Sequence, residues 1–130
     1  MQIRLNISYN IVGKGKPIIF IHGIGSRKSS WIDIIGELQD QFQCISYDLR
    51  GHGESEVDES NFTLQDLVED LENLRSYLNI DKAHLVGHSL GGMIGPSYAR
   101  KYQNKVLSLS LLSTASFRNI SDQKKILNIY

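Results

Sequence analysis

The chain has 130 residues, enough for one domain with a buried core, and its 14 basic residues are balanced by 14 acidic ones. This balance excludes the broad basic surface of a protein that binds nucleic acid or an anionic membrane. No stretch approaches the ~20 apolar residues of a membrane span, and residues 1–15 lack the apolar core of a signal peptide. The single cysteine, Cys44, excludes an internal disulfide, and its apolar surroundings predict a buried thiol. We therefore expect a single domain over residues 1–130, located in the cytoplasm.

The first half of the chain alternates predicted strands with one helix. Apolar and polar residues alternate over residues 3–9, which predicts a half-exposed strand or a hairpin. Continuous apolar runs at residues 17–22 and 43–49 predict strands that are covered on both faces. Between them, Ser29 or Ser30 is placed to cap a helix with one apolar side.

The second half repeats the same alternation. Thr63 is followed by Asp66 three residues later, which resembles a capping box and predicts the start of a helix. Apolar runs at residues 83–88 and 105–113 predict two further buried strands, separated by a helix over residues 91–102. Strands that alternate with helices imply an α/β fold with a mostly parallel sheet and right-handed crossovers.

Several chemically interesting segments follow the predicted strands directly. They are His22 with Gly23, residues 48–55, residues 87–91 and residues 113–114. Because ligands of parallel α/β sheets bind beyond the carboxyl ends of the strands, we expect the functional site at this edge.

Gly87, Ser89 and Gly91 form the pattern G-x-S-x-G between a predicted strand and a predicted helix. Such a turn is so tight that the central residue is strained, and glycines at its flanks avoid a collision, so that Ser89 projects above the sheet edge. The amide of Leu90 begins the next helix and is placed to stabilise a developing oxyanion. The pattern favours a nucleophilic serine; the alternative is a glycine-rich turn that contains a serine by chance.

Three motifs, "FIHGIGSRKSSW", "YDLRGHGES" and "VGHSLGG", resemble in order and spacing those of the α/β-hydrolase fold superfamily, and the resemblance extends over residues 7–117. Within the superfamily the chain looks most like small esterases and lactonases; 3-oxoadipate enol-lactonases have a similar opening motif. The resemblance implies an α/β-hydrolase-type sheet with flanking helices. It implies Ser89 as the nucleophile and the amides of Leu90 and Ile24 as the oxyanion donors. It also implies hydrolysis of a small carboxylic ester or lactone through an acyl-serine intermediate, without a metal or an organic cofactor.

Three side chains are candidates for contact with the substrate. Ile24, Trp31 and Met93 suggest an apolar wall near the site. For Trp31 the alternative is a core position, because a tryptophan on the apolar side of a helix is usually packed inside.

The histidines are better explained by structural roles than by catalysis. We expect His22 to brace the loop after its strand, His52 to bond to backbone in a glycine-rich turn, and His84 to be satisfied locally. His88 adjoins the serine, yet neighbouring side chains diverge on a sharp turn. The resemblance implies that Asp48 and Arg50 help to build the loop below the site, as a structural ion pair or as a loop brace.

In the family that the chain resembles, an acid and a histidine follow the nucleophile. No histidine follows Ser89, and Asp122 is the one acid beyond Ser113. We therefore expect an incomplete hydrolase domain, truncated after the strand near 105–113, with residues 117–130 starting a cap and with little activity of its own. The alternative is a non-catalytic half-hydrolase, a binding or interaction module completed by a partner chain. An uncovered strand at 105–113 would also allow self-association.

Overall fold

The computed structural model describes residues 6–55 and 62–112. In these ranges the chain forms five strands, three α-helices and two short 3-10 helices. In chain order they are β1 (Tyr9–Val12), β2 (Lys16–Ile21), a 3-10 helix (Lys28–Trp31), α1 (Ile32–Leu38), β3 (Phe42–Tyr47), α2 (Leu64–Tyr77), β4 (Ala83–His88), α3 (Gly91–Lys101), a second 3-10 helix (Gln103–Lys105) and β5 (Val106–Leu112).

The five strands form one mostly parallel sheet in the order β1-β3-β2-β4-β5. Strand β2 pairs in parallel with β3 and β4, and β4 pairs in parallel with β5, whereas β1 is antiparallel to β3. The predicted α/β fold class is confirmed. Of the strand or hairpin predicted over residues 3–9, the structure shows a strand that begins only at Tyr9, continues to Val12 and is antiparallel to β3. Residues 3–5 themselves lie outside the described part of the chain.

The central strands β2 and β3 are buried on both faces over their last four residues, which explains their continuous apolar runs. On one face Ile18 and Phe20 of β2 pack with Trp31, Ile35 and Cys44. On the other face the alternate residues of β2 join the larger core formed with α2 and α3. The buried residues of that core are Ile19, Ile21, Ile45, Tyr47, Leu49, Leu64, Leu67, Val68, Leu71, Leu74, Ile80, Ala83, Leu85, Ile94 and Tyr98.

The start of α2 confirms the predicted capping box. Thr63 Oγ1 accepts a hydrogen bond from the Asp66 amide at 3.2 Å. In return, the Asp66 carboxylate accepts one from the Thr63 amide at 2.8 Å. Two of the helix's otherwise unpaired amides are thereby satisfied.

The predicted serine cap of the first helix is wrong. The chain enters α1 through the 3-10 helix Lys28–Trp31, and Trp31 itself is the N-cap of α1, without a side-chain hydrogen bond. The Ile32 amide bonds to the Ser29 carbonyl and the Ser30 amide to the Arg27 carbonyl. These backbone bonds replace the side-chain cap.

Strand β5 differs from its predicted burial on both faces. It pairs with β4 through one edge, and among the described residues no strand pairs with its other edge. Leu107, Leu111 and Leu112 are exposed on its faces. Residues 113–130, which include Asp122 and the predicted start of a cap, lie outside the described residues.

Candidate active site

Ser89 lies in the turn between β4 and α3, at the carboxyl end of the sheet. Its φ angle is +57°, in the left-handed region that residues other than glycine rarely occupy. A non-glycine residue pays about 1–2 kcal/mol for this conformation, so the surrounding structure has to hold it. Ser89 is half-buried.

Two glycines allow the turn to be this tight. A Cβ atom added to Gly87 would overlap the Gly91 carbonyl, and one added to Gly91 would overlap the Ile21 carbonyl. The N-terminus of α3 therefore lies directly on the backbone of β2 and β4. This close approach is the reason why the G-x-S-x-G spacing needs glycine at both ends.

The loop after β2 reaches the same place. A Cβ atom on Gly23 would lie 2.8 Å from Ser89 Cβ and 3.2 Å from Ser89 Oγ. The Ser26 amide bonds to the Gly23 carbonyl at 3.1 Å and closes a turn that presents Ile24 to solvent, with 75% of its surface exposed. The predicted convergence of residues 22–23 and 87–91 at one sheet edge is present.

Helix α3 leaves its first amides unused by the helix. Its hydrogen bonds begin with the Gly92 amide, which donates to the Ser89 carbonyl at 2.9 Å. The amide of Leu90 precedes this bond, as the first donors of every α-helix do. A partial positive charge at this helix end is favourable for an anion forming at the serine.

His22 braces the loop, as predicted. Its Nε2 accepts a hydrogen bond from the Leu49 amide at 3.0 Å, so Nδ1 carries the proton and donates to the Gly23 carbonyl at 2.7 Å. Burial lowers the pKa of His22, and the ring of His52, 5.2 Å away, lowers it further. A neutral His22 thus ties the ends of β2 and β3 together.

Asp48 and Lys28 form a buried ion pair beneath the same loop. Asp48 Oδ1 accepts from the Lys28 amide at 2.7 Å, and Oδ2 accepts from Lys28 Nζ at 3.0 Å and from the Glu54 amide at 2.9 Å. Lys28 Nζ also donates to Ser8 Oγ at 2.9 Å. Sequence reasoning predicted that Asp48 braces a loop but did not indicate Lys28 as its partner, because the two residues are 20 positions apart.

The remaining histidines are engaged away from the serine or exposed. His52 Nδ1 bonds to the Arg50 carbonyl at 3.1 Å, and His84 Nδ1 bonds to Ser108 Oγ at 2.7 Å. His88 is exposed at the end of β4. Over residues 6–55 and 62–112, no histidine nitrogen is hydrogen-bonded to the Ser89 hydroxyl.

A cavity of about 630 Å³ lies beside the two predicted oxyanion donors. Ile24 and Leu90 are in its wall, together with Met93 and with Phe62, Leu64 and Leu67 at the start of α2. The sequence did not indicate the contribution of α2. The signal that could have indicated this contribution is the position of α2 in the chain, after the loop of residues 48–55 at the same sheet edge.

Of the three predicted substrate contacts, two line this cavity and one does not. Ile24 and Met93 are in the wall. Trp31 is 5% exposed, with its ring 5.2 Å from that of Phe20 in the core on the opposite face of the sheet. Trp31 is therefore a core residue, which was the predicted alternative to substrate contact.

Membrane-spanning helices and metal-binding clusters are both absent from the described residues. None of the described helices combines the length and the apolar character needed to cross a bilayer. Within residues 6–55 and 62–112, no group of three or more His, Cys, Asp or Glu side chains is arranged to hold a metal ion.

Comparison with known proteins agrees with this geometry. Residues 16–130 match the family model described as the alpha/beta hydrolase fold. The 3-oxoadipate enol-lactonase 1 of Acinetobacter baylyi is 38% identical over 89 residues, which cover 68% of this chain and 33% of that protein. The cis-3-alkyl-4-alkyloxetan-2-one decarboxylase of Shewanella oneidensis is 34% identical over 118 residues, which cover 88% of this chain and 37% of that protein.

The solved structures give the same result. A thermophilic esterase from Thermogutta terrifontis superimposes with a TM-score of 0.83 at 32% identity, over 92% of this chain and 44% of the esterase chain. The chain spans about a third of the length of the curated relatives that it matches. The family model, the relatives and the shared sheet together show that this chain belongs to the α/β-hydrolase family.

Proposed function

We propose that this chain carries the nucleophile and the oxyanion site of a serine hydrolase that acts on carboxylic esters or lactones. The observation that carries the proposal is the strained conformation of Ser89, held against Gly23 at the carboxyl edge of the sheet. The names of two relatives, an enol-lactonase and an esterase, support this class of substrate. We place the reaction in the cytoplasm, since the buried thiol of Cys44 suits a reducing compartment.

The proposed reaction is acyl transfer in two steps. Ser89 Oγ attacks the carbonyl carbon while a base takes the hydroxyl proton, and the carbonyl oxygen becomes an oxyanion that the amides of Leu90 and Ile24 stabilise. The tetrahedral intermediate collapses, the carbon–oxygen bond of the ester breaks, and the alkoxide leaves with the proton from the base. Water then releases the acid from the acyl-serine by the same steps. All the groups required are protein groups and water, so we propose no metal and no organic cofactor.

The base is not among the histidines of the described residues, whose partners lie elsewhere or which are exposed. A serine hydrolase without its full triad loses about 10⁴–10⁶ in kcat and keeps the part that depends on the oxyanion site and on binding. We therefore propose that these 130 residues alone react slowly, as expected of an incomplete domain.

Labelling with a fluorophosphonate tests the proposal. We expect slow labelling of Ser89, located by mass spectrometry, with a rate that rises with pH as hydroxide replaces the missing base. Ser89→Ala should abolish the label, whereas Ser97→Ala, a control in the following helix, should leave it unchanged. A label spread over other serines, or one that survives Ser89→Ala, would refute the nucleophile. Labelling at the rate of an ordinary serine hydrolase would instead refute the incomplete domain.

Strand β5 supports a second candidate function, a non-catalytic module completed by a partner chain or by a second copy. Leu107 and Leu111 are exposed on one face of β5 and Leu112 is exposed on the other, beside an edge that no described strand pairs with. Exposed strand edges of this kind pair readily with other chains. A dimer in sedimentation that Leu111→Lys converts to a monomer, together with no label at Ser89, would favour this candidate. A monomer that labels at Ser89 would exclude it.

A further inference from the structure

The cavity begins at the residues that flank the candidate nucleophile. Leu90 follows Ser89 in the chain, and Ile24 follows Gly23, whose Cα faces Ser89 closely enough that an added Cβ would lie 3.2 Å from Ser89 Oγ. Both Leu90 and Ile24 are in the cavity wall. A carbonyl group bound between their amides would therefore have one of its substituents directed into the cavity.

The wall of the cavity is uncharged and mainly apolar. None of the eight described residues that line the cavity is charged. The two polar side chains among them each make one hydrogen bond at the start of α2: Thr63 Oγ1 accepts from the Asp66 amide, and Gln65 Nε2 donates to Glu69 Oε1 at 2.9 Å. The rest of the wall is aliphatic, aromatic or thioether, and its volume of about 630 Å³ is typical of small-molecule sites.

We propose that this cavity is the acyl-binding pocket of the site, and that it selects neutral, apolar acyl chains over chains of the same length that end in a carboxylate. The inference rests on the proposed function, in which Ser89 Oγ is the atom that attacks the substrate. Burial of each added methylene group should raise affinity about fourfold. A terminal carboxylate that finds no cation among the described residues of the wall should lower affinity by about tenfold or more.

The binding test uses the Ser89→Ala chain, which holds esters without turning them over. The chain has two methionines, Met1 and Met93, so methyl-¹³C-methionine labelling yields two NMR signals, one of which reports on the cavity wall. Methyl butanoate, methyl hexanoate, methyl octanoate and monomethyl adipate are titrated in turn. Monomethyl adipate has the same six-carbon acyl chain as methyl hexanoate but ends in a carboxylate.

We expect the Met93 signal to shift, with a dissociation constant that falls about fourfold per methylene along the three neutral esters. Monomethyl adipate should bind about tenfold more weakly than methyl hexanoate, or worse. Equal affinities along the neutral series, or equal binding of the two six-carbon esters, would overturn the proposal. A shift confined to Met1 would also overturn it, because the ligand would then lie elsewhere.

An experiment that introduces a positive charge adds a matched control. Gln65 is exposed and lines the cavity, whereas Gln39 is exposed at the end of α1 and does not. Gln65→Arg should improve the binding of monomethyl adipate by about tenfold without improving that of methyl hexanoate. Gln39→Arg, with the same change of charge, should alter neither, and an equal gain in both variants would show non-specific attraction and refute the pocket.

Binding and labelling separate the two proposals. If Ser89 labels with fluorophosphonate but the esters bind without regard to length or charge, the pocket is wrong and the hydrolase stands. If the esters bind at Met93 as expected but Ser89 never labels, the pocket stands as a binding site and the hydrolase is wrong.

Discussion

Replacing Lys28 by methionine should destabilise the chain strongly, although Lys28 is not a predicted catalytic residue. The Asp48 side chain is 1% exposed and the Lys28 side chain 11%. Removing one partner of a buried ion pair leaves an uncompensated charge and costs about 3–5 kcal/mol. Asp48 would keep two backbone donors, the amides of Lys28 and Glu54, so we expect the lower end, about 3 kcal/mol. For a domain of this size that corresponds to a fall in Tm of about 10 °C.

The stability lost in the Lys28→Met chain should depend on pH. The direction of that dependence follows from the pKa shifts of Asp48 and Lys28. Burial alone would raise the pKa of Asp48, but its hydrogen bonds with the Glu54 and Lys28 amides and with the Lys28 ammonium outweigh burial and lower that pKa below 3.8. Stability from this carboxylate is therefore present above pH 3.8 and lost as the pH falls through the lower, folded-state pKa. Burial alone would lower the pKa of Lys28, but Asp48 and Glu54 raise it above 10.5. That contribution is present below pH 10.5 and lost as the pH rises through the folded-state pKa.

Urea unfolding of the wild-type and Lys28→Met chains between pH 2 and pH 7 measures the loss of stability and its dependence on the protonation of Asp48. The difference in unfolding free energy should be largest near pH 7 and should shrink as Asp48 becomes protonated. Lys105→Met is the matched control, since its partner Asp81 is 81% exposed and 3.4 Å away, and an exposed pair contributes about 0–1 kcal/mol. Equal losses in the two variants, or a Lys28→Met loss that stays constant down to pH 2, would refute the role of the buried pair.

Three further predictions concern backbone geometry and are all measured by urea unfolding. Gly91→Ala would press a methyl group onto the Ile21 carbonyl and should lower the free energy of unfolding by about 3 kcal/mol. Gly36→Ala, where a Cβ meets open space in α1, should be neutral or stabilising. Similar unfolding midpoints for the two variants would contradict the close contact at Gly91. Ser89→Gly should be about 0.5–1 kcal/mol more stable than Ser89→Ala, because glycine adopts a φ of +57° without strain; the reverse order would show that the turn is relaxed. Thr63→Ala should cost about 1 kcal/mol through loss of the capping box, and Thr63→Ser should recover most of it.

The sheet and the position of Ser89, the proposed nucleophile, could be predicted from sequence because the signals are local. Continuous apolar runs identify strands that are buried on both faces, and their alternation with helices requires parallel pairing. The pairing of Ile18 with His84 through to Ile21 with Gly87 in parallel strands is the outcome. From there the G-x-S-x-G spacing is sufficient to place Ser89 at a strand end, since few other residue patterns can make that turn.

The parts that could not be predicted depend on contacts between distant residues. Nothing in the sequence near Lys28 indicates that its ammonium reaches Asp48 and Ser8. That contact depends on how the sheet brings together the start of β1 and the segments that follow β2 and β3. Trp31 illustrates a different limit. Its helical spacing showed that it faces the sheet, but a sheet with a core on each face leaves open which one, and Trp31 lies on the face opposite the cavity.

The strain at Ser89 and the stability of the fold are connected through α3. The left-handed φ of Ser89 would relax if α3 could move away from the sheet, and two features prevent this. Ile94 and Tyr98 are fully buried in the core between the sheet and α2, so shifting α3 would expose apolar surface. At the N-terminal end, Gly91 brings the helix backbone against the Ile21 carbonyl. The burial of two large side chains, at about 1.5–3 kcal/mol each, exceeds the ~1–2 kcal/mol of strain, and so Ser89 keeps its strained position at the carboxyl edge of the sheet.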